Sequence, residues 1–385
     1  MATTATIRVD QATVFTPTLF LAFELGENKW KLGCTTGAAQ RPRERQVPAG
    51  DCQAVLEEIR RAKSRFGLPE EARVVSCYEA GRDGFWLHRF LASQGVENIV
   101  VDSASIEVNR RYRRAKTDRL DVHKLLTMLR RHAAGEKKVW SVVRVPSVAD
   151  EDRRQLHREL LTTKRDRTRV SNRIKGLRAG YGIRMGWQGD VETQLDEVRQ
   201  WDGAPLPAAL RARLKREWQK VQHLTEQIGG LEAERRATLR TSEERAMEKV
   251  RQLATLRGIG VNSAWLFVME FFAWRDLQTA KQVGALAGLT PTPYQSGQAS
   301  RERGMTKAGH GSMRTMAIEM AWGWVRFQPE STLTQWYQAR FGQGSARLRK
   351  IGIVALARKL LIALWRFLRT GELPAGAVRK VAVSG

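Results

Sequence analysis

A change in hydrophobic pattern near residue 150 divides this chain into parts that cannot share one fold class. Before it, short apolar runs such as TLFLAFELG (18–26) and ARVVSCYEA (72–80) alternate with helical patterns. After it, apolar residues recur at three- and four-residue steps in two long, heavily charged segments. Short apolar runs are typical of buried strands, and the longer steps are typical of amphipathic helices. The sequence therefore predicts an α/β domain followed by helical regions.

The part before residue 150 is predicted to contain a mixed sheet of the ribonuclease H-like kind. The run at 18–26 and the alternating segment KWKLGCTT are joined by Gly26-Glu27-Asn28, residues suited to a hairpin turn. Strands that first pair as a hairpin and then alternate with helices favour this topology. The elements expected after the hairpin are a helix capped by Asp51, a strand at 72–80, a helix from about Asp83 to Gln94, a strand at 97–103 and a helix carrying Leu120, Val122, Leu125, Leu126 and Leu129.

The part after residue 150 is predicted to be mostly helical. Amphipathic segments at 151–182 and 206–239 favour either an antiparallel helical hairpin or an intersubunit coiled coil. Further on, Gly258-Ile259-Gly260 resembles the turn of a helix-hairpin-helix. The tryptophans expected in the helical core are Trp322, Trp324, Trp336 and Trp365. The predicted boundaries are an N-terminal tail (1–16), an α/β domain (17–148), a coiled-coil linker (149–248), a helical domain (249–373) and a C-terminal tail (374–385).

The charge balance indicates a polyanionic partner. Lys and Arg number 66 against 40 Asp and Glu, which gives a net charge of +26 and a sequence pI near 10.8. This excess favours nucleic-acid phosphates, with ribosome association or an anionic membrane surface as alternatives. No apolar run approaches the roughly 20 residues that span a bilayer, and the N-terminus lacks signal-peptide features. Three scattered cysteines predict a reducing cytoplasm and no zinc or disulfide framework.

Four carboxylates stand out because each lies where a predicted element ends or begins: Glu24, Glu79, Asp118 and Asp121. The first two close apolar strands, where an unpartnered carboxylate is costly. The two aspartates are three residues apart, which places them on one face of a helix. Carboxylate oxygens hold hard divalent cations, and two Mg²⁺ ions would activate an attacking water or hydroxyl and stabilise a leaving oxygen.

Separate structural roles for these acids are the alternative. Asp118 and Asp121 can pair with neighbouring cations such as Lys116, while Glu24 ends a strand and Glu79 caps a helix. The gathering of acids at the ends of apolar strands favours the metal site, because a carboxylate cluster repels itself unless a cation neutralises it.

A second candidate centre lies in the segment 288–314. A Pro-rich turn leads to Tyr294-Gln295-Ser296-Gly297, and a basic loop is predicted to follow. A serine exposed among basic groups can attack a phosphodiester, since those groups stabilise the developing negative charge. A loop serine is also a common turn former, and no histidine–aspartate pair accompanies this one. The residue chemistry leaves Ser296 open as a nucleophile or a structural residue.

Together these motifs resemble the DEDD transposases of the IS110 class, which include Piv-type DNA invertases. The resemblance runs from about residue 17 to about residue 370 and rests on FELGENKWKLG, VVSCYEAGRDGFWLHRFL, KTDRLDVHKL, LRGIG and VGALAGLTPTPYQSG. It implies a RuvC-like domain joined by a coiled coil to a transposase domain. The residues it assigns are the metal-binding acids Glu24, Glu79, Asp118 and Asp121 and the nucleophile Ser296.

The resemblance also implies partners and a reaction. A noncoding bridge RNA would pair with donor and target DNA and so choose the sites. Dimers would assemble into a tetramer in which the acids of one subunit meet the serine of another. A phosphoseryl link would conserve bond energy, so that strands rejoin without ATP. A bacterial, nucleoid-associated protein is expected on these grounds.

One residue departs from the family pattern, in which the first acid is usually Asp. Glu24 adds a methylene, which changes the distance of the carboxylate from a metal but not the donor type. Ser300 is an alternative nucleophile close to Ser296. Two other functions stay open: a metal-dependent junction-resolving nuclease in which Ser296 is structural, and a non-catalytic nucleic-acid-binding scaffold.

Cations in three segments are expected to contact nucleic-acid phosphates. They precede the two aspartates, lie on the first long helix, or follow Ser296: Arg110, Arg111, Arg113, Arg114, Lys116, Arg165, Arg169, Arg173, Lys175, Arg301, Arg303, Lys307 and Arg314.

Overall fold

Two units make up the chain, Met1–Val145 and Pro146–Gly385. The structure is a computed structural model that describes residues 17–37, 40–106, 118–184, 191–296, 299–306, 309 and 311–380. For residues 118–120, 192, 292–296 and 299–303 it describes the backbone. Among the described residues, every helix is either too short or too polar to traverse a bilayer.

The first unit is built on a five-stranded mixed sheet. Its elements are β1 (Thr18–Leu25), β2 (Lys29–Thr35), β3 (Arg43–Pro48), α1 (Cys52–Arg65), β4 (Arg73–Glu79), α2 (Trp86–Ser93), β5 (Glu97–Val101) and α3 (Asp118–Ala133). The strand order is β3-β2-β1-β4-β5, with β1 antiparallel to β2, β2 antiparallel to β3, and β1, β4 and β5 parallel. The predicted mixed sheet, with a hairpin followed by strands that alternate with helices, is confirmed.

The strand β3 is an element that the hydrophobic pattern does not reveal. Its sequence, RERQVP, is polar, and Val47 is the one residue of the strand that is buried. β3 pairs only with β2 and forms an edge of the sheet, where charged residues discourage pairing with other chains. A polar edge strand therefore looks like a loop in the sequence.

Helices cover both faces of this sheet. Asp51 caps α1, its carboxylate accepting a hydrogen bond from Ala54 N at 2.9 Å, as predicted. Side chains of β1 alternate between the two faces, so that Leu21 and Phe23 pack with α1 and α2 while Ala22 packs with α3. The sheet is thus the middle layer of three.

The helix α3 approaches the sheet closely at Gly33 in β2. A Cβ atom on Gly33 would lie 2.3 Å from Val122 Cγ1 and 2.9 Å from Leu126 Cδ1. Both distances are shorter than a carbon–carbon contact allows, so only glycine fits at this crossing. Gly33 therefore sets how near α3 lies to the strands beneath it.

The second unit is mostly helical. Its elements are α4 (Val148–Asp152), α5 (Gln155–Ala179), α6 (Val191–Glu197), α7 (Ala208–Thr241), α8 (Arg245–Ala254), α9 (Val261–Phe267), a π-helical turn (Val268–Phe272), α10 (Ala280–Leu286), β6 (Pro291–Ser296), β7 (Ala299–Met305), α11 (Gly311–Phe327), α12 (Thr332–Tyr337), a second π-helical turn (Gln338–Gly342) and α13 (Ala346–Thr370).

The two long helices pack antiparallel within the chain. Lys164 on α5 pairs with Glu232 on α7, and Arg173, farther along α5, pairs with Glu217, earlier on α7. Their apolar seam contains Val170, Ile174, Leu210, Leu214 and Val221. The predicted helix at 151–182 is interrupted at 153–154, so that α4 and α5 are separate.

The turn at Gly258 joins α8 to α9. Gly258 has a φ of +81°, and a Cβ there would lie 3.3 Å from the carbonyl oxygen of Gly323 in α11. The positive φ and the close approach of α11 both favour glycine at this position, so Gly258 has a structural role in the packing of the unit.

Four tryptophans of the second unit, Trp322, Trp324, Trp336 and Trp365, are predicted to lie in its core, and two of them are buried there. Trp324 and Trp365 are buried, and Trp336 is partly buried against the same core. The prediction is wrong for Trp322, whose side chain is 46% exposed. Two residues along a helix correspond to roughly 200° of rotation, which places Trp322 opposite Trp324 on α11.

Buried charges tie α5 to the first π-helical turn. Arg158 donates two hydrogen bonds to the carboxylate of Glu270, at 2.6 and 2.7 Å. Arg154 lies 3.7 Å from the same carboxylate. His157 is also buried here, and neither of its ring nitrogens has a hydrogen-bond partner among the described residues. Burial, followed by the charge of Arg235, lowers the pKa of His157 from 6.5 to about 4.

Residues 375–380, inside the predicted C-terminal tail, pack on the helical core. Gln328 donates to Val378 O and accepts from Val378 N, both at 2.8 Å. Lys380 N donates to Thr255 O, and its Nζ donates to Ile259 O at 2.8 Å. This segment therefore fixes the turn between α8 and α9.

The substitution Gly33→Ala should destabilise the first unit by about 1–3 kcal/mol, because the added methyl overlaps Val122 and Leu126. Urea unfolding would measure the change. Gly37→Ala is the control, since a Cβ at Gly37 meets nothing within 4 Å and should change stability by less than about 0.5 kcal/mol. Equal stabilities for the two variants would contradict the close packing of α3.

Acidification should destabilise the second unit through His157. Its folded pKa of about 4 lies below the unfolded value of 6.5, so the unfolded chain takes up the proton first. The contribution is complete above about pH 6.5 and is lost as the pH falls toward 4, by on the order of 3 kcal/mol. Unfolding of His157→Leu at about pH 7 and about pH 4.5 should show less acid sensitivity than the wild type. The variant of the exposed His223, His223→Leu, should keep the wild-type dependence.

Candidate active site

Two of the predicted acids occupy equivalent positions on neighbouring strands. In the register of β1 and β4, Phe23 pairs with Tyr78, so that Glu24 and Glu79 follow at the same level. Both lie at the carboxyl ends of parallel strands, where ligands of α/β sheets collect. Because side chains alternate along a strand, both acids are on the face of Ala22 and Cys77. This is the face that α3 covers.

The other two acids belong to the first turn of α3. The helix begins at Asp118, and Asp121 follows three residues later. Asp121 directly precedes Val122, whose side chain lies against Gly33. Gly33 pairs with Ala22, which is two residues, or about 7 Å along a strand, from Glu24. The fold therefore brings α3 over the same face and the same region of the sheet as Glu24 and Glu79.

Three of the four predicted metal ligands, Glu24, Glu79 and Asp121, have described side chains, and these three do not form a group arranged to hold a metal ion. Among the residues with described side chains, no group of three or more His, Cys, Asp or Glu is arranged to hold a metal ion. Asp118 is outside that set, because only its backbone is described. The two-ion site thus stays a prediction, and its donor atoms are carboxylate oxygens, which suit Mg²⁺.

A polar network beside Glu24 was missed by sequence reasoning. Lys31 pairs with Glu24 across β1 and β2, and its Nζ lies 3.0 Å from Glu44 Oε2. The other oxygen of Glu44 is 2.7 Å from His123 Nε2 on α3, two residues after Asp121. Glu44 thus ties the edge strand β3 to the helix that carries the acids. It was missed because β3 itself was not recognised.

The two buried cysteines of the sheet, Cys77 on this face and Cys34 on the opposite face, are not candidates for nucleophile or metal ligand. Cys77 lies beneath α3 and is buried, and burial raises the pKa of its thiol far above the usual 9.0. Burial also raises the pKa of Cys34 to about 12. Since the thiolate is the reactive and ligating form, both groups are inert at neutral pH. Carboxylates are the chemistry that this face offers.

Ser296 lies at the end of a strand. The basic loop predicted after it is wrong, because β6 and β7 form an antiparallel hairpin in which Ser296 pairs with Ala299. Ser300, the alternative nucleophile, pairs with Gln295 one position farther from the turn. Ser296 is therefore the last residue of β6 and pairs with the first residue of β7.

The base of this hairpin is fixed to the helical core. Thr306 N donates to Thr290 O at 2.9 Å, which closes the hairpin below its strands. Met305 packs on the hydrophobic core of the unit. Gly309 has a φ of +101°, and a Cβ there would be 2.2 Å from Leu286 O, so no other residue fits after β7. The strand that ends at Ser296 thus begins next to a hydrogen-bonded and packed base.

The predicted nucleic-acid contacts are described only in part. On α5, Arg165 and Lys175 are exposed, while Arg169 pairs with Asp166 at 2.7 Å and Arg173 with Glu217 at 2.8 Å. Two of the four are therefore partly neutralised within the chain. Arg314 lies in the first turn of α11. The remaining predicted contacts have side chains outside the described set: Arg110, Arg111, Arg113, Arg114, Lys116, Arg301, Arg303 and Lys307.

A family model described as "Transposase IS116/IS110/IS902 family" matches residues 250–336. That span contains the Gly258 turn, the hairpin β6–β7 with Ser296, and most of α11 and α12. The match therefore covers the second candidate centre.

Curated relatives extend the similarity over almost the whole chain. "Putative transposase y4rJ" of Sinorhizobium fredii is 38% identical over 390 residues, which cover 97% of this chain and 96% of that protein. "Probable family 20 transposase" of Pseudomonas aeruginosa is 28% identical over 61% of this chain and 68% of its own length. "Transposase for insertion sequence element IS1328" of Yersinia enterocolitica is 27% identical over 54% of this chain and 60% of its own length. From these similarities, this chain belongs to the IS116/IS110/IS902 family of transposases.

Proposed function

We propose that this transposase recombines DNA at specific sites through a covalent phosphoseryl intermediate on Ser296, with Mg²⁺ bound by Glu24, Glu79, Asp118 and Asp121. The observation that carries the proposal is the placement of Glu24 and Glu79 at one level of adjacent parallel strands. The helix that begins with Asp118 covers the same face. Glu24, Glu79 and the start of α3 thus lie on one face of one sheet, which supports a shared site for the four acids.

The strand arrangement supports a RuvC-like, ribonuclease H-like assignment for the first unit. An antiparallel β1-β2-β3 sheet is extended on the other side of β1 by β4 and β5, both parallel to β1. This is the topology expected from the sequence pattern for a ribonuclease H-like sheet. We further propose that α5 and α7 serve as the coiled coil that separates this domain from the transposase domain.

In the proposed reaction, Ser296 Oγ attacks the phosphorus of a DNA phosphodiester. A P–O bond to deoxyribose breaks, the departing oxygen gains a proton, and the phosphate becomes an ester of the serine. A hydroxyl of another strand then attacks this ester, which reforms a phosphodiester and releases the serine. Energy is conserved because one phosphate ester replaces another at each step.

The acids have a separate part in this scheme. Their carboxylates would hold Mg²⁺, which neutralises charge on the phosphate and lowers the pKa of the attacking hydroxyl. Glu24 is longer than the Asp usual at this position, so its carboxylate reaches farther from β1. Lys31 lies opposite Glu24 in the register and carries a positive charge next to the acid pair.

The partners of the reaction follow from the same proposal. We assign the choice of donor and target DNA to a noncoding bridge RNA, which would recognise both by base pairing. The protein's net charge of +26 would attract this RNA. We also propose that dimers assemble into a tetramer in which the acids of one subunit act with Ser296 of another. The family resemblance is the support for these two assignments.

Ser296→Ala should abolish the covalent protein–DNA adduct and reduce strand transfer by about a thousandfold or more, because the attacking oxygen is lost. A labelled DNA substrate analysed under denaturing conditions would detect the adduct. Ser300→Ala is the matched control and should keep adduct formation. Normal recombination by the Ser296 variant would exclude Ser296 as the nucleophile.

The wild-type protein in the same assay distinguishes the alternative functions. Metal-dependent nicking with no adduct would indicate a junction-resolving nuclease, and tight binding with neither nicking nor adduct would indicate a scaffold.

Glu79→Gln should reduce metal-dependent cleavage by about a hundredfold or more while leaving DNA binding in place, since the amide is a weaker ligand. Cleavage rates across a Mg²⁺ titration would measure the effect. Glu97→Gln is the control, because Glu97 lies at the opposite end of the sheet and pairs with Arg73 at 2.7 Å. Equal cleavage rates for the two variants would refute the shared acid site.

A further inference from the structure

The helical unit contains a groove lined by cations that the candidate active site does not use. Two cavities of about 150 and 510 Å³ share Gln278, Trp365 and Arg369 in their walls. A third cavity of about 240 Å³ shares Lys249 with the first. The shared residues place the three cavities next to one another, from α8 to the carboxyl end of α13, and together they are called the groove.

Lys249 lies in the middle of this groove without a neutralising partner. Its Nζ donates to Phe272 O at 2.9 Å, and no carboxylate in the described part of the chain pairs with it. An ammonium group has three donors, so further acceptors can bind. Burial, followed by the charge of Arg245, lowers the pKa of Lys249 below its usual 10.5. An anion in the groove would relieve this unfavourable environment.

Two guanidinium groups in the groove are held against tryptophan rings. Arg275 lies 4.2 Å from the centre of the Trp274 ring, and Arg369 lies 4.9 Å from that of Trp365. Stacking holds a guanidinium by its face, whereas phosphate oxygens are bound by its N–H edge. Arg369 is exposed, so its edge faces accessible space.

The acids of the groove do not cancel this charge. Asp150 and Glu244 line the third cavity, but both form ion pairs with Arg153. Asp276 lines the first cavity beside three cations, and Glu372 lines the 510 Å³ cavity beside Arg366 and Arg369. The walls of the three cavities therefore hold six cations and four carboxylates. The helix dipole explains an arginine near the end of α13, such as Arg369, but not Lys249, which lies inside α8. The groove therefore keeps a net positive charge.

We propose that this groove binds the phosphodiester backbone of a nucleic-acid strand, with one phosphate held between Lys249 and Arg369. The proposal rests on the proposed function, because it adds a second contact surface for the nucleic acids on which the transposase acts. The partner is defined by its phosphates, so the groove should bind DNA and RNA strands without regard to base sequence.

The test is the affinity of the full chain for single-stranded oligonucleotides of about 16 nucleotides, measured by fluorescence anisotropy over a range of salt. Lys249→Gln/Arg369→Gln should bind about tenfold more weakly, and the slope of log affinity against log salt should shrink by about 0.7, as expected for one lost phosphate contact on a single strand. The control Arg347→Gln/Arg349→Gln removes the same charge at the other end of α13, about 30 Å away, and should keep both values. The charge-conserving Lys249→Arg/Arg369→Lys should retain wild-type binding.

Equal losses in the groove variant and the control would overturn the proposal, since net charge alone would then explain binding. Competition by inorganic phosphate as strong as that by the oligonucleotide would also overturn it, because the site would then recognise a small anion. If the double variant does not fold, the exposed Arg369→Gln alone should still weaken binding and lower the slope. Binding is measured in a Ser296→Ala background, so failure of the phosphoseryl chemistry leaves this result unaffected.

Discussion

The close contact between α3 and the sheet at Gly33 is the constraint on which the acid site depends. Glu24 and Glu79 are fixed by the hydrogen bonds of β1 and β4, but Asp118 and Asp121 belong to a helix that follows residues 107–117. A helix is placed by what it packs against. The absence of a side chain at Gly33 lets Val122 reach the backbone of β2, and the first turn of α3 is carried with it. The Glu44–His123 contact holds the same turn from the edge strand.

In the helical unit, the constraint comparable to Gly33 is a buried charge, and not a close apolar contact. Glu270 is buried in a π-helical turn and is satisfied by Arg158 and Arg154 from α5. A buried carboxylate of this kind requires such partners, because its desolvation is not offset otherwise. These pairs join the long helices to the domain that carries Ser296. These pairs account for some of the excess cations within the protein itself. A cation without a carboxylate partner among the described residues, such as Lys249, instead suggests an anionic ligand.

Sequence reasoning succeeded where a local rule fixes the structure. The Asp51 cap, the hairpin turn and the strands at β1, β2, β4 and β5 follow from side-chain capping, turn chemistry and apolar runs. Sequence reasoning failed where the structure of a segment depends on the neighbouring element against which it packs or pairs. The polar strand β3 exists because β2 offers an edge, and the hairpin β6–β7 forms in a segment rich in proline, glycine and arginine. Trp322 is exposed because α11 turns that side away from the core.

The sequence by itself determined which residues this chain has for chemistry: four acids at the ends of elements, a serine after a Pro-rich turn, and a large excess of cations. Their motifs were also enough to indicate the family, because motif order is a property of the chain. Only the tertiary structure decided that Glu24 and Glu79 share one level and one face, since register depends on hydrogen bonds between strands distant in sequence. It alone revealed Glu44 and the groove at Lys249, because contacts between separate elements have no signature in local spacing.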